Sequence, residues 1–431
     1  MFGWWTRLSK KFWTLPVMYS LAAVLLVTLT AMLDHTYDGK LESHLPAILL
    51  TKVGLAETIL STLASALLTV TTITFSMIMV VLTTYTSQFS PRTLTNFMTH
   101  KMTLRILGVF IGGFLYSLLS LLFMKEDLGD RYLISATTGI LIAVICVVFF
   151  VQFLRHVSSF IQVENLIDRL MDEALAVVDN QIKKASAPQL VIGADALAVT
   201  SVYRTMTPVY PEKPGYVQEV DTAQMIQLAV QHGWFIEMTS RQGDFVAPEQ
   251  PLLHLFSDGD IGEQAYRDAV RSCVKIGKNK RIVQDRVFAL QKLAEVALRA
   301  ISPGINDPNT ARDCIRSMSV VLGRAGEIES GDWLFADEDG RPRLRCVEYS
   351  FDELLYLSFY QLRHYGRGDV SVYAAMLDAL LLVARQAGNL QREAILASVR
   401  DMEEEIERDS YQQRDLVYLQ EKMQRIHQLF G

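Results

Sequence analysis

The chain reads "TILSTLASALLTVTTITFSMIMVVLTTYTSQFS" over residues 58–90, and this stretch decides the fold. It carries no charged side chain. Its many β-branched residues favour a strand by propensity, but a single strand in hydrocarbon leaves its backbone groups unpaired, and no other segment supplies a barrel. We therefore predict a membrane-spanning helix. From Thr58 to Pro91 a straight helix would extend about 51 Å, well beyond the roughly 30 Å hydrocarbon core of a bilayer.

Three further spans have the same apolar character, and they cover residues 12–33, 103–124 and 132–154. Each reaches the length of about 20 residues that a helix needs to cross a bilayer. The first exceeds the roughly 7–15 apolar residues of a secretion signal, so we predict that it is retained as an anchor. The predicted fold class is a mainly α integral membrane protein, with four transmembrane helices in residues 1–155 followed by a mixed α+β cytoplasmic domain.

The charges that flank these spans predict their orientation. The segments before the first span and between the second and third carry basic residues and no acidic ones. The segments after the first and third spans are richer in acidic residues. Because basic flanks stay on the cytoplasmic side, both termini are predicted to be cytoplasmic. We expect a multi-pass protein of a bacterial inner membrane, in contact with the lipid bilayer.

The remaining chain divides into three parts by its pattern. Residues 156–190 are predicted to form an amphipathic connecting helix, because apolar residues recur there at helical spacing. Residues 191–260 are predicted to form a small β-rich subdomain. Its segment 211–256 is similar to the barrel-sandwich fold of lipoyl- and biotin-carrier domains, but it lacks their Met-Lys-Met triplet, so no attached cofactor is expected. Residues 261–431 are predicted to be mainly helical, with a β-hairpin near 333–349.

Hydroxyl side chains follow one face of the second predicted helix at alternating steps of four and three residues. The main members of this row, called the hydroxyl stripe below, are Thr62, Ser65, Thr69, Thr72, Ser76 and Thr83. One interpretation is a helix-packing seam, since small polar residues let membrane helices approach closely. The other is a water-filled path in an oligomer. The two are compatible if copies of the helix meet around a symmetry axis.

Small residues in the third span also predict close helix packing. Gly108 and Gly112 form a G-x-x-x-G pair, a pattern typical of membrane helices in close contact. No acidic or basic side chain lies deep in any of the four spans. Since proton-coupled transporters usually carry such a residue near the membrane middle, a proton-driven pump is not expected, although a passive path is compatible with this pattern.

Motifs of the common enzyme and metal-binding classes are absent from the sequence. There is no P-loop, no Rossmann fingerprint and no nucleophile elbow. The four cysteines form no Cys-x-x-Cys pair, and the eight histidines lack metal-ligand spacing. The net charge of −6 gives no broad basic signature for nucleic acid. We therefore predict no catalytic residue, no metal, no cofactor and no nucleic-acid partner; a small-molecule ligand is not identified by the sequence.

The densest polar cluster of the cytoplasmic part surrounds the loop at 302–308. Asp307 before Pro308 is typical of a helix N-cap followed by proline at the first helical position. Asn306 suits a tight turn, and Gln284 and Asp285 lie several helical turns earlier. Two interpretations stay open. The residues form a ligand or gating site, or they cap helices and make surface ion pairs.

Several segments together resemble one family. They are "QFSPRTLTNF" at 88–97, "LGVFIGGFLYSLLSL" at 107–121, Gln284-Asp285, and "ALRAISPGINDPNTA" at 297–311. The chain resembles, over nearly its whole length, a bacterial family of predicted inner-membrane proteins classed as domain of unknown function 2254. The resemblance implies an integral membrane protein with a large cytoplasmic domain, and it implies no activity.

Two hypotheses of function follow. The first is an oligomeric inner-membrane protein, a homo-oligomer forming a passive channel for ions or small solutes that its cytoplasmic domain gates. The alternative is a membrane-anchored scaffold or regulatory protein with no transport activity. An enzyme is not expected.

Overall fold

The computed structural model describes residues 14–36, 46, 50–88, 101–124, 132–186, 190–192, 199–259, 264–280, 285–409 and 411–431. The chain forms two compact units, Met1–Val163 and Glu164–Gly431. The first unit is built from long apolar helices, and the second combines β-sheet with further helices. The protein is thus mostly helical with a mixed sheet region.

The described helices of the first unit are long and apolar. They are α1 (Thr14–Thr36), α2 (Val53–Gln88), α3 (Lys101–Phe123) and α4 (Ser135–Ile161). A short antiparallel pair, β1 (Thr51–Lys52) and β2 (Tyr132–Leu133), joins the segments that lead into α2 and α4. The segment 58–88, with its β-branched residues, is helical, as its membrane setting predicts.

Helix α3 is the centre of this unit, because it packs against α1, α2 and α4. Its side chains Ile106, Phe110 and Tyr116 have no solvent exposure. Close approach to α1 depends on glycine. A Cβ added at Gly108 would lie 2.7 Å from the Tyr19 ring of α1, and one added at Gly112 would lie 3.2 Å from the Tyr19 carbonyl oxygen. The predicted G-x-x-x-G pair therefore lies against α1.

The second unit begins with the amphipathic helix α5 (Val163–Ala185). Its buried residues recur at helical spacing, and the polar residues lie between them. The predicted connecting helix covers residues 156–190, whereas α5 begins at Val163. Helix α4 continues to Ile161, and the extended backbone of Gln162 separates it from α5. The residues 156–161 thus belong to the last apolar helix of the first unit.

Two sheets follow α5. The strands in chain order are β3 (Leu190–Ile192), β4 (Thr205–Val209), β5 (Gly215–Val220), β6 (Phe235–Met238), β7 (Phe245–Val246), β8 (Leu253–Ser257), β9 (Val274–Gly277), β10 (Trp333–Ala336) and β11 (Pro342–Cys346). The larger sheet has the order β3-β10-β11-β6-β8-β4, and the smaller one the order β7-β5-β9. All pairs are antiparallel except β11 with β6, which is parallel. Helices α6 (Thr222–His232) and α7 (Gln264–Ser272) lie between strands in the chain.

The two sheets combine strands from distant parts of the chain. The hairpin of β10 and β11 lies within the six-stranded sheet, between β3 and β6. The three-stranded sheet likewise includes β9, from beyond residue 260. The physical reason is burial. Trp333 and Phe335 of the hairpin share one apolar core with Val217, Ile236 and Leu255.

The helices after residue 285 form the rest of the second unit. They are α8 (Arg286–Ala300), α9 (Pro308–Ala325), α10 (Phe351–Tyr365), α11 (Val370–Ala387), α12 (Arg392–Arg408) and α13 (Gln413–Phe430), with a 3-10 turn at Gly388–Gln391. Side chains cap the starts of α8, α9, α10 and α11. The Ser350 and Glu353 side chains form a reciprocal capping box at α10.

Five helical stretches are long and apolar enough to cross a membrane by length and composition. Four are the helices of the first unit, and the fifth is Val370–Arg408 in the second. The apolar residues of α11 in this fifth stretch are buried against α9 and α13. Neighbouring helices of the same unit therefore cover much of the apolar face of α11.

Candidate functional site

The hydroxyl stripe lies on the outer surface of α2. All six stripe residues are exposed. The face of α2 that packs inside the unit is formed by other residues, Ala56, Leu60, Ala64, Leu67, Thr74, Ile78 and Val81. At about 100° per residue, the mean direction of the stripe is about 180° from that of the buried face. The stripe therefore points away from the helices of its own chain.

The threonine hydroxyls of the stripe are bonded within the helix. Thr62, Thr69, Thr72 and Thr83 each donate a hydrogen bond to the carbonyl four residues earlier, at 2.7 to 2.9 Å. This bonding lowers the cost of placing a hydroxyl in an apolar medium. In Thr62, Thr69 and Thr72 the hydroxyl oxygen can still accept a hydrogen bond from water or a neighbouring helix.

The outward faces of α1 and α4 differ from that of α2. They expose mainly apolar side chains, among them Leu21, Val24, Leu25 and Met32 on α1, and Ile140, Leu141, Val144, Val147, Val148 and Val151 on α4. Such faces suit contact with lipid tails. The outward face of α2 also exposes apolar residues, such as Leu68 and Phe75, but a row of hydroxyls runs between them.

Two threonines of α2 off the stripe have different surroundings. Thr71 is half-buried and donates to the Leu67 carbonyl. Thr74 is fully buried, and its hydroxyl has no partner within the described part of the chain. A larger side chain at Thr74 would overpack the bundle of its own chain. Comparisons with the stripe therefore need exposed residues such as Leu68.

Sequence patterns did not identify a second polar group in the first unit, around Asp34 near the end of α1. Its carboxylate accepts hydrogen bonds from the backbone N–H groups of Ile134, at 2.8 Å, and Ser135, at 3.3 Å. The Tyr116 hydroxyl of α3 donates to the Ser135 carbonyl at 3.0 Å. This group joins the end of α1 to the start of α4. Tyr116 is visible in the sequence as a phenol hydroxyl inside a predicted span, but its partner Ser135 lies far along the chain.

The predicted polar cluster of the second unit is divided between the two ends of α8. Asp285 precedes the helix, and its carboxylate accepts from the Phe288 N–H at 2.8 Å. Asn306 and Asp307 follow the helix, about 22 Å farther along for its 15 residues. Gln284 lies outside the described residues. The structure thus does not bring Asp285 together with Asn306 and Asp307.

The loop after α8 is closed by its own backbone and side chains. The Asp307 N–H donates to the Ala300 carbonyl at 2.8 Å. The Asp307 carboxylate accepts from the Thr310 N–H at 3.2 Å and from the Thr310 hydroxyl at 2.6 Å, which caps α9. Asn306 has a φ of 53°, a left-handed conformation that asparagine tolerates better than most residues. These contacts account for the Asn-Asp-Pro order as helix capping.

Asp285 lies in a cluster of charged side chains, called the ion-pair cluster below, that also contains the buried Arg286 and the less buried Glu348, Arg241 and Glu353. Arg286 is 6% exposed, donates to the Tyr349 carbonyl at 2.6 Å and lies 3.7 Å from the Glu348 carboxylate. Arg241 pairs with Glu353 at 2.9 Å. The cluster joins the turn after β6, the start of α8 and the segment before α10.

Burial shifts the pKa values in this ion-pair cluster. It raises the pKa of the Asp285 carboxyl from 3.8 to about 6, and the hydrogen bond from Phe288 opposes the rise. It raises the pKa of Glu348, against the charge of Arg286. It lowers the pKa of Arg286, against the charge of Glu348. Asp285, Arg286 and Glu348 therefore hold their charges at a desolvation cost that attraction only partly offsets, whereas in the Arg241–Glu353 pair the attraction raises the pKa of Arg241 and lowers that of Glu353.

A turn glycine lets Asp285 enter this cluster. Gly243 has a φ of 88°, and a Cβ there would lie 2.0 Å from a carboxylate oxygen of Asp285. Beside the cluster, between α5 and the ends of β6 and β11, is a cavity of about 40 Å³ that Lys184 and Glu348 help to line. It has room for about one or two water molecules. The geometry here is that of a structural junction.

The described residues contain no assembled set of ligands for a metal ion. No group of three or more His, Cys, Asp or Glu side chains there has the geometry to hold a metal ion. Among those residues the four cysteines are free thiols, and burial raises the pKa of Cys273 to about 11. The stripe and the polar group at Asp34 are therefore the features that call for a functional explanation.

Comparison with known proteins identifies relatives of the chain. The family described as "Predicted membrane protein (DUF2254)" matches residues 9–381. An uncharacterised protein of Mycobacterium bovis is 26% identical over 340 residues, which cover 77% of this chain and 64% of that protein. An uncharacterised protein of Mycobacterium tuberculosis matches with the same values. The chain thus spans 64% of the length of these relatives. No solved structure matches.

Proposed function

The chain belongs to the DUF2254 family of predicted membrane proteins, and we propose that copies of it assemble so that the hydroxyl stripe of α2 lines a passive path for ions or small solutes. The observation that carries this proposal is the direction of the stripe, opposite to the face that packs within the chain. A helix face that met lipid alone would be apolar, as on α1 and α4. A row of hydroxyls suits water or another polar helix face.

A second copy of the chain is the partner that best fits this face. Symmetric homo-oligomers bring the same surface of each subunit to one axis. Small residues on the stripe let α2 helices approach closely, and their lone pairs then face the axis. At such an axis the α2 helices would contact one another and also line a water-filled path. The two interpretations of the stripe then hold together.

The proposed topology has four spans, α1 to α4, with both termini in the cytoplasm of a bacterial inner membrane. It is supported by the basic flanks before α1 and between α2 and α3. Burial of α11 by protein supports its exclusion from the spans. Helix α2 has 36 residues and a length of about 54 Å, so it also extends beyond the hydrocarbon core. The second unit is then cytoplasmic, where it could gate the path.

Cross-linking tests the assembly. In a background without the four native cysteines, Thr69→Cys should form disulfide-linked dimers in membranes treated with an added oxidant. Leu68→Cys is the matched control, because both residues are exposed and adjacent, but their directions differ by about 100°. Equal cross-linking of the two variants, or of neither, would contradict an interface at the stripe.

Conductance separates a path from the alternative, a scaffold that uses the same interface without transport. Purified wild-type protein in planar bilayers should conduct, and Thr72→Leu should reduce the current by apolar constriction while the oligomer survives. Thr72→Ser keeps the hydroxyl and should conduct. If wild type carries no current under any ion gradient while Thr69→Cys still cross-links, the scaffold function is the correct one.

A further inference from the structure

A cavity of about 720 Å³ lies among α1, the end of α3 and the start of α4. Its walls are largely apolar, with Val27, Met32, Phe123 and Leu133 among them. Ligand pockets commonly have volumes of about 300–1,000 Å³, apolar walls and a few convergent polar groups. This cavity is on other helices than the hydroxyl stripe, so an inference from it does not depend on the proposed path.

Asp34 supplies the charged group of this cavity. The residue is 9% exposed, and it accepts hydrogen bonds from the backbone at the start of α4 and interacts with the Ser135 side chain. It forms no ion pair with any residue in the described ranges. An ionised carboxylate has about four acceptor positions, more than these bonds fill, and Asp34 lines the cavity. Burial of a carboxylate is costly, and a cationic ligand would offset that cost.

Ser120 is a second, independent indication of a ligand. It is 5% exposed and lines the same cavity, and no group of the described chain meets its hydroxyl with full hydrogen-bond geometry. Its polar neighbour is the Tyr116 hydroxyl, which donates to the Ser135 carbonyl at 3.0 Å. Buried hydroxyls are rarely left unpaired, because desolvation without a hydrogen bond is unfavourable. The hydroxyl can accept a hydrogen bond from a donor placed in the cavity.

We propose that this cavity binds a small amphipathic amine, with its ammonium group bonded to Asp34 and Ser120 and its apolar body against the walls. An anion would be repelled by the Asp34 carboxylate. An alkali ion would leave most of the apolar volume unfilled, and an uncharged apolar molecule would leave the carboxylate unpaired. An ammonium group with an apolar body satisfies the charge, the open acceptors and the walls together.

The test uses the full-length protein in detergent and cyclohexylamine as the probe. Binding is measured by saturation-transfer NMR titration, with protein-free micelles subtracted. Cyclohexanol has the same ring without the charge, and it should bind about tenfold or more weakly, the change expected when a hydrogen bond to a charged group is lost. Equal binding of amine and alcohol, or no binding of the amine, overturns the proposal. Displacement of the amine by sodium or potassium at constant ionic strength overturns it in favour of an alkali ion.

Variants locate the site. Asp34→Asn should weaken amine binding by about tenfold or more, and unchanged affinity overturns the proposal. Because Asp34 also bonds the start of α4, Ser120→Ala is the second variant, which leaves those bonds intact and should weaken binding severalfold. Ser117→Ala is its control, since the Ser117 hydroxyl bonds the Gly113 carbonyl at 3.1 Å outside the cavity lining. If Asp34→Asn does not fold, equal affinity of Ser120→Ala and Ser117→Ala overturns the proposal.

Discussion

Replacement of Asp285 by asparagine should stabilise the second unit at neutral pH and change its stability little at pH 4. Burial raises the pKa of the Asp285 carboxyl from 3.8 to about 6 in the folded protein. Because the folded pKa is above the unfolded one, the contribution of Asp285 to stability is fully present below pH 3.8. It is lost as the pH rises through about 6.

The magnitude follows from the same two pKa values. Each pKa unit corresponds to about 1.36 kcal/mol, so the ionised carboxylate costs the folded state roughly 3 kcal/mol at pH 7 relative to a neutral side chain. At pH 4 the same linkage leaves about 0.5 kcal/mol. Asparagine is neutral throughout and keeps an oxygen that caps α8. The advantage of Asp285→Asn over wild type should therefore grow from about 0.5 to roughly 3 kcal/mol between pH 4 and pH 7.

The measurement is urea unfolding at several pH values, followed by the fluorescence of Trp234 and Trp333, which are buried in the second unit. Asp285→Ala removes both the charge and the oxygen that caps α8. Its comparison with Asp285→Asn therefore measures the effect of the cap alone. At pH 4, where the charge matters little, Asp285→Ala should be less stable than Asp285→Asn by about 0.5–2 kcal/mol, the usual cost of a lost N-cap. An advantage of Asp285→Asn that is the same at pH 4 and pH 7, or a loss of stability at pH 7, would refute the reasoning.

Three further predictions concern helix capping, helix packing and topology. Asp307→Ala should destabilise the second unit by about 0.5–2 kcal/mol in urea unfolding, and Asp307→Ser should recover most of it; two variants of wild-type stability would count against a capping role. Gly108→Ala should cost about 1–3 kcal/mol in thermal unfolding, because the new Cβ would lie 2.7 Å from an aromatic ring of α1. Gly54→Ala, where a Cβ meets nothing within 4 Å, should be neutral or stabilising, and equal losses at both glycines would contradict this packing. A single cysteine at Asp127 should react with an impermeant maleimide in whole cells and one at Asp337 only after permeabilisation; labelling of position 337 in intact cells would reverse the orientation.

Local patterns predicted the parts of the fold that depend on local physics. The segment 58–88 has a strand-like composition, but hydrocarbon requires every backbone group to be paired internally, so a helix follows from the sequence. The caps follow in the same way. Asp307 before Pro308 begins a helix because its side chain reaches an N–H group three residues later. The spacing of the hydroxyls likewise placed them on one face of a helix.

Local patterns did not predict which distant segments of the chain pair with one another. The β10–β11 hairpin was recognisable, but its parallel pairing with β6 joins residues about a hundred positions apart, and the alternation of side chains in a strand does not specify the neighbouring strand. Asp34 is one of the acidic residues that follow the first apolar span. Its bonds to Ile134 and Ser135 depend on how α1 and α4 are packed around α3.

The sequence by itself determined that the hydroxyls of α2 form one row, since a helix of 3.6 residues per turn has no other way to arrange that spacing. The tertiary structure decided where the row faces. A helix rich in small and apolar residues can pack on several sides, and the choice depends on which side fits the neighbouring helices best. In this chain Ala56, Leu60, Ala64 and Leu67 face the interior of the bundle, and the hydroxyl stripe is left on the opposite surface.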